Sequence, residues 1–111
     1  MEANTYQKAA LRTAPTNLEP KLLLLNGALG LSGESGEVND ILKKHLFQGH
    51  DLDRVAMAKE LGDLCWYIAV AAHALGYSLE EVFQMNIDKL WQRYPEGFDS
   101  DRSIHRNPND I

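Results

Sequence analysis

The sequence predicts an all-α protein, a bundle of about four helices that associates with copies of itself. Three observations carry this reading. Apolar residues recur at helical spacing, and few stretches alternate with period two. Pro15, Pro20, Pro95, Gly49 and Gly76 fall at the breaks that bound the periodic runs. One run also opens with a capping signature, Ser78-Leu79-Glu80-Glu81. A chain of 111 residues with 44% hydrophobic content is sized for one domain with one core. Sixteen acidic residues against 11 basic ones give a formal charge of −5, a poor basis for sequence-independent DNA binding. The single cysteine, Cys65, excludes an internal disulfide framework and a cysteine-cage zinc site. No run approaches the ~20 apolar residues that span a bilayer. Met1-Glu2-Ala3-Asn4 lacks the features of a signal peptide, so a cytoplasmic, soluble protein is expected.

A short amphipathic segment runs roughly over 4–13, and Ala14-Pro15-Thr16-Asn17 breaks it. Residues 19–47 read as one long helix, with Pro20 tolerated in the first turn and Gly49 as terminator. Gly30, Gly33 and Gly36 lie inside it, each weakening it by ~1 kcal/mol relative to Ala. That cost implies that a backbone or a ligand comes close there. The next helix is expected over 52–75, capped by Asp51 or Asp53 and ended by Gly76. Its second half is apolar on nearly every side, which in so small a chain points to self-association. The last helix should start at the capping box, with Tyr77 and Val82 as a hydrophobic staple, and stop near Arg93 before Tyr94-Pro95. Its residues Phe83, Ile87 and Leu90 form an apolar face expected to pack into the core. Residues 96–111 have few apolar anchors and read as an extended tail.

The acidic residues are informative because of the faces they occupy. Glu34 and Glu37 are one helical turn apart, and so are Glu60 and Asp63. Helical steps place the first pair in line with Ile41 and His45, and the second with Ala56, Tyr67 and Val70. Such acidic pairs are common on solvated helix faces. Here, however, both pairs share a face with apolar residues, where like charges repel and desolvation adds to the cost. Lys43 and Lys44 lie two to three turns beyond Glu34, and Lys59 points away from the Glu60–Asp63 face. A hard divalent cation fits better, because Mg²⁺ prefers carboxylate oxygens, waters and substrate phosphates. A di-iron site is disfavoured, because it requires Glu-x-x-His on two helices and neither pair ends in histidine. On the last helix, Asn86, Lys89 and Arg93 form a polar, cationic stripe able to hold a polyphosphate. Cys65 is expected in the core. Trp66, Phe83 and Trp91 are expected to pack, between subunits included, and His73 to lie at an interface.

The runs Gly30-Leu31-Ser32-Gly33-Glu34-Ser35-Gly36-Glu37-Val38, Glu60-Leu61-Gly62-Asp63-Leu64-Cys65-Trp66-Tyr67, Asn86-Ile87-Asp88-Lys89-Leu90 and Arg93-Tyr94-Pro95-Glu96-Gly97-Phe98 resemble the MazG-like all-α nucleoside triphosphate pyrophosphohydrolases. The likeness is strongest to small single-domain bacterial and phage members and covers residues 6–106. It implies one domain over 1–111, with an N-terminal segment over about 1–17 and the tail over about 96–111. It further implies a dimer or tetramer, with Mg²⁺ (or Mn²⁺ in its place) held by Glu34, Glu37, Glu60 and Asp63. The implied reaction cleaves a nucleoside triphosphate between the α- and β-phosphates, giving a monophosphate and pyrophosphate. Asn86, Lys89 and Arg93 match positions that handle the phosphates or sugar, and Tyr67 matches a substrate-facing tyrosine of some relatives. Some relatives carry a base-stacking tryptophan ten residues after the first glutamate, where this chain has Lys44. Without that stacking partner, carry-over of their base preference loses its support.

The chemistry expected of this set is attack of water on a shielded phosphorus. Glu34 or Glu37 would orient or deprotonate the water, while Lys89 and Arg93 neutralise the departing pyrophosphate. The alternatives are a non-catalytic helical module that binds nucleotide or a partner, and a related phosphoanhydride hydrolase such as a histidine-biosynthesis pyrophosphohydrolase. Base, sugar, metal count and a role in cleaning the nucleotide pool stay open at this level.

Overall fold

The computed structural model describes all 111 residues. It is all-α, with helices α1 (Ala3–Leu11), α2 (Pro20–Phe47), α3 (Arg54–Ala74), α4 (Leu79–Arg93) and α5 (Ser100–Ile104) and no strand. No helix is long and apolar enough to cross a membrane. The chain forms two compact units, Met1–Leu79 and Glu80–Ile111.

In the first unit, local chemistry sets the ends of α2 and α3. Pro20 occupies the first turn of α2, where its missing N–H leaves nothing unsatisfied. Gly49 follows the last turn with φ +75, a conformation that favours glycine. Of the two expected caps for α3, Asp53 does the work, its side chain accepting from the Ala56 N–H at 3.0 Å. At the other end Gly76 adopts φ +87, Gly76 N donates to His73 O and Tyr77 N donates to Ala72 O, both at 2.9 Å. That pattern is a Schellman motif.

α2 and α3 pack as an antiparallel pair, with Gly27 against Ala71 and Gly30 against the Tyr67 ring. A Cβ at Gly30 would run into that ring, so glycine there is what lets Tyr67 lie across α2. The close approach expected at Gly33 and Gly36 is absent, since a Cβ at each would meet nothing within 4 Å, and Gly62 is equally open. α1 lies on α3 and is tied to it by buried Gln7. Gln7 Nε2 donates to Ala69 O (3.1 Å) and Tyr77 O (3.2 Å), and Gln7 Oε1 accepts from Leu79 N at 2.9 Å. One side chain thereby satisfies three backbone groups and holds the chain from the end of α3 to the first residue of α4.

The buried apolar set is small: Ala10, Leu23, Ala69, Val70, Ala72 and Leu79. Leu22, Leu25 and Leu29 on α2, Leu61 and Ile68 on α3, and Leu75 just after it, stay exposed. Cys65, expected in the core, is exposed as well.

In the second unit, Phe83, Ile87 and Leu90 are also exposed rather than packed into a core. α4 ends at Arg93, ahead of Pro95 as expected. The segment 96–111 is not extended. Gly97 (φ +93) turns the chain, Tyr94 and Phe98 stack with centroids 5.3 Å apart, and Asp99 caps α5 by accepting from Asp101 N at 2.9 Å. These are short-range hydrogen bonds that leave no apolar periodicity to read.

Candidate metal centre

The antiparallel register of α2 and α3 fixes which acids meet. With Gly30 opposite Tyr67, each further turn toward the C-terminus of α2 faces one turn back toward the N-terminus of α3. Glu34 therefore comes level with Asp63, and Glu37 with Glu60. Carboxylate oxygens of Glu34, Glu37 and Glu60 all lie within 4.8 Å of one another. Asp63 is exposed and stands at the edge of this trio, lining a cavity of about 390 Å³ together with Glu34, Thr13, Trp66 and Tyr67.

Glu34 and Glu60 are half-buried, and Oε2 of each is sealed from solvent and accepts from no donor unless a neighbouring carboxyl carries a proton. An unpaired buried carboxylate oxygen is costly. Contact with Glu60 raises the Glu37 pKa, first through a shared hydrogen bond and then through repulsion. Glu60 is raised as well, mainly by its hydrogen bond with Glu34 and then by burial. Two carboxyls at contact distance share one proton more readily than they hold two negative charges. The nearby lysines do not relieve this. Lys44 Nζ lies 2.8 Å and Lys43 Nζ 3.6 Å from Asp40, whose carboxyl is held below its usual range chiefly by the Lys44 hydrogen bond.

The donor set is hard and anionic, with two orphaned oxygens, and fits a divalent cation of the Mg²⁺ type.

Aromatic residues wall the cavity and are fixed in place. The Trp66 indole N–H donates to Ala10 O (3.0 Å) and Thr13 Oγ1 (2.9 Å), and its ring meets Tyr67 edge to face at 4.9 Å. Tyr6 reaches α3 from α1, its hydroxyl donating to Gly62 O at 3.4 Å. Its pKa is raised by burial, then by Cys65 and Asp63. Sequence reasoning assigned Trp66 to packing; it packs on α1 and also lines the cavity. Its position one turn beyond Asp63 was the available signal. Thr13, in the break after α1, gave none.

The expected phosphate-handling residues lie on α4, in the other unit. Asn86 is exposed and Lys89 half-buried. Arg93 Nε pairs with Asp110 Oδ2 at 2.7 Å.

An acid-lined centre beside an aromatic cavity, on an all-α scaffold, offers hard anionic donors of the kind a divalent cation takes. Residues 25–98 match the family model described as the MazG nucleotide pyrophosphohydrolase domain, and the chain belongs to that family. Among curated proteins, the "Gene 37 protein" of Mycobacterium phage L5 is 37% identical over 73 residues, covering 62% of this chain and 64% of that protein. The match thus spans just under two thirds of that relative's length. No solved structure matches the chain.

Proposed function

We propose that the protein is a Mg²⁺-dependent pyrophosphohydrolase that cleaves a nucleoside triphosphate between the α- and β-phosphates, releasing a monophosphate and pyrophosphate. The observation that carries this reading is the meeting of Glu34, Glu37 and Glu60 within 4.8 Å, with sealed and unpaired oxygens on two of them. Membership of the MazG family supports the reaction class. Glu34, Glu37, Glu60 and Asp63 would hold the metal. When bound, the ion supplies Lewis-acid neutralisation of phosphate charge and lowers the pKa of water; Mn²⁺ would serve in its place.

The chain's own residues do the rest. Glu34 or Glu37 orients the attacking water and takes its proton, and Glu37, the exposed one of the two, is the more accessible. Tyr67, braced by Gly30 and Trp66, faces the nucleoside end in the cavity it lines with Glu34 and Asp63. Asn86, Lys89 and Arg93 bind the phosphates, with Lys89 and Arg93 offsetting the charge of the departing pyrophosphate. The exposed apolar residues of α2, α3 and α4 belong to the contacts of a homodimer or homotetramer.

The test is the identity of the product. Incubating a panel of nucleoside triphosphates with the protein and Mg²⁺ should release pyrophosphate rather than orthophosphate, and a chelator should stop it. Glu37→Gln should lower the rate about a hundredfold or more. Orthophosphate release, or a rate untouched by Glu37→Gln, contradicts the proposal.

A further inference from the structure

The second unit holds a cluster that shares only Arg93 with the phosphate-binding residues proposed above. Arg93, at the end of α4, and Arg102, His105 and Arg106, from α5 and the turn after it, line a pocket of about 230 Å³ with Asp110. Arg93 and Arg106 pair with the one carboxylate of Asp110, Arg102 lines the pocket beside them, and His105 Nδ1 is engaged by Asp101 Oδ1 at 2.9 Å. Asp110 Oδ2 sits 2.7 Å from Arg93 Nε and 3.7 Å from Arg106 Nε, while Arg106 Nη2 donates to Asp110 O at 2.6 Å.

The pairing is incomplete in an informative way. The Arg93 side chain is only 14% exposed, and its Nη2 is buried with no hydrogen-bond partner. A guanidinium matched to its carboxylate makes two parallel bonds, whereas Asp110 takes Nε alone and leaves a charged donor unsatisfied. An anion with more oxygens could meet Nε and Nη2 of Arg93 together and still reach Arg102 and Arg106. Phosphate groups have that shape and charge.

We propose that this pocket is a binding site for a diphosphate group, and that Asp110 is a plug from the same chain which the diphosphate displaces. The proposal rests on the preceding reading only in giving Arg93 to phosphate. It adds Arg102 and Arg106 as ligands and Asp110 as their competitor. The diphosphate is either free or the end of an intact nucleotide.

Binding to the full-length chain, measured by titration calorimetry in the presence of a chelator, tests it without engaging the acid centre. The probes are inorganic pyrophosphate and an α,β-methylene nucleoside triphosphate. Asp110→Asn should tighten binding of one or both about tenfold, and the probe that tightens more identifies the source. Arg102→Gln and Arg106→Gln should each weaken it severalfold, with helix content by circular dichroism unchanged. If Asp110 merely braces the tail, Asp110→Asn will bind no tighter than wild type or will bind more weakly, which overturns the proposal. Unchanged binding in both arginine variants also overturns it, even if Asp110→Asn fails to fold. A chain that hydrolyses no triphosphate but binds pyrophosphate more tightly as Asp110→Asn would sink the proposed function and keep this site. Hydrolysis without any effect of these three variants on binding would do the reverse.

Discussion

At the scale of single residues, the centre is defined by groups in environments that do not suit them. Glu60 stands between Glu34 and Glu37, and the pKa values of Glu37 and Glu60 are both raised. The consequence for stability has a definite sign. A carboxyl whose folded pKa lies above its unfolded value favours the folded state below the unfolded pKa, ~4.3 for glutamate, and loses that advantage as pH rises through the folded value. Urea unfolding of metal-free protein should therefore show stability falling as pH rises above about 4.3, and Glu60→Gln should flatten the profile. A profile that rises over the same range would contradict the placement of these groups. The sequence made the two acid pairs legible, because one-turn spacing is local information. It did not show that Asp63 would stand apart from the trio at the cavity, since side-chain exposure depends on the facing helix.

Among the elements, the breaks were readable and the register was not. Pro20, Gly49, Asp53 and Gly76 mark helix ends through their own backbone chemistry, so each could be named from a few neighbours. Which glycine lies under the opposing helix depends on how α2 and α3 slide past one another. Only Gly30 of the three singled out in α2 meets a neighbour, the Tyr67 ring. Gly30→Ala should cost about 1–3 kcal/mol in urea unfolding, because the ring must move. Gly33→Ala, with nothing within 4 Å of the added carbon, should be neutral or stabilise by up to ~1 kcal/mol through helix propensity. Equal effects at the two positions would contradict the register. α5 escaped notice for a different reason. Five residues capped by Asp99, with His105 just beyond them paired to Asp101, hold together through polar contacts, which hydrophobic periodicity does not detect.

For the whole molecule, the central issue is how little apolar surface the chain buries by itself. Leu61 and Ile68 on α3 and Leu75 at its C-cap recur every seven residues and remain 49%, 38% and 59% exposed, and Leu22, Leu25 and Leu29 stripe α2 likewise. The sequence signalled this through a helix apolar on nearly every side, and a single chain leaves that surface uncovered. Ile68→Glu should therefore reduce the mass seen by light scattering to that of one chain. A wild-type protein that is already monomeric, or a variant whose mass is unchanged, would contradict a subunit contact on that face.

Thermal unfolding of metal-free protein titrated with Mg²⁺ at neutral pH tests most directly whether a cation satisfies the glutamates that α2 and α3 bring together. Saturation at about a hundred times the dissociation constant should stabilise the protein by ~2.7 kcal/mol, several degrees in Tm, with the gain lost in Glu60→Gln. A Tm that ignores Mg²⁺, or one that rises equally in Glu60→Gln, would contradict it.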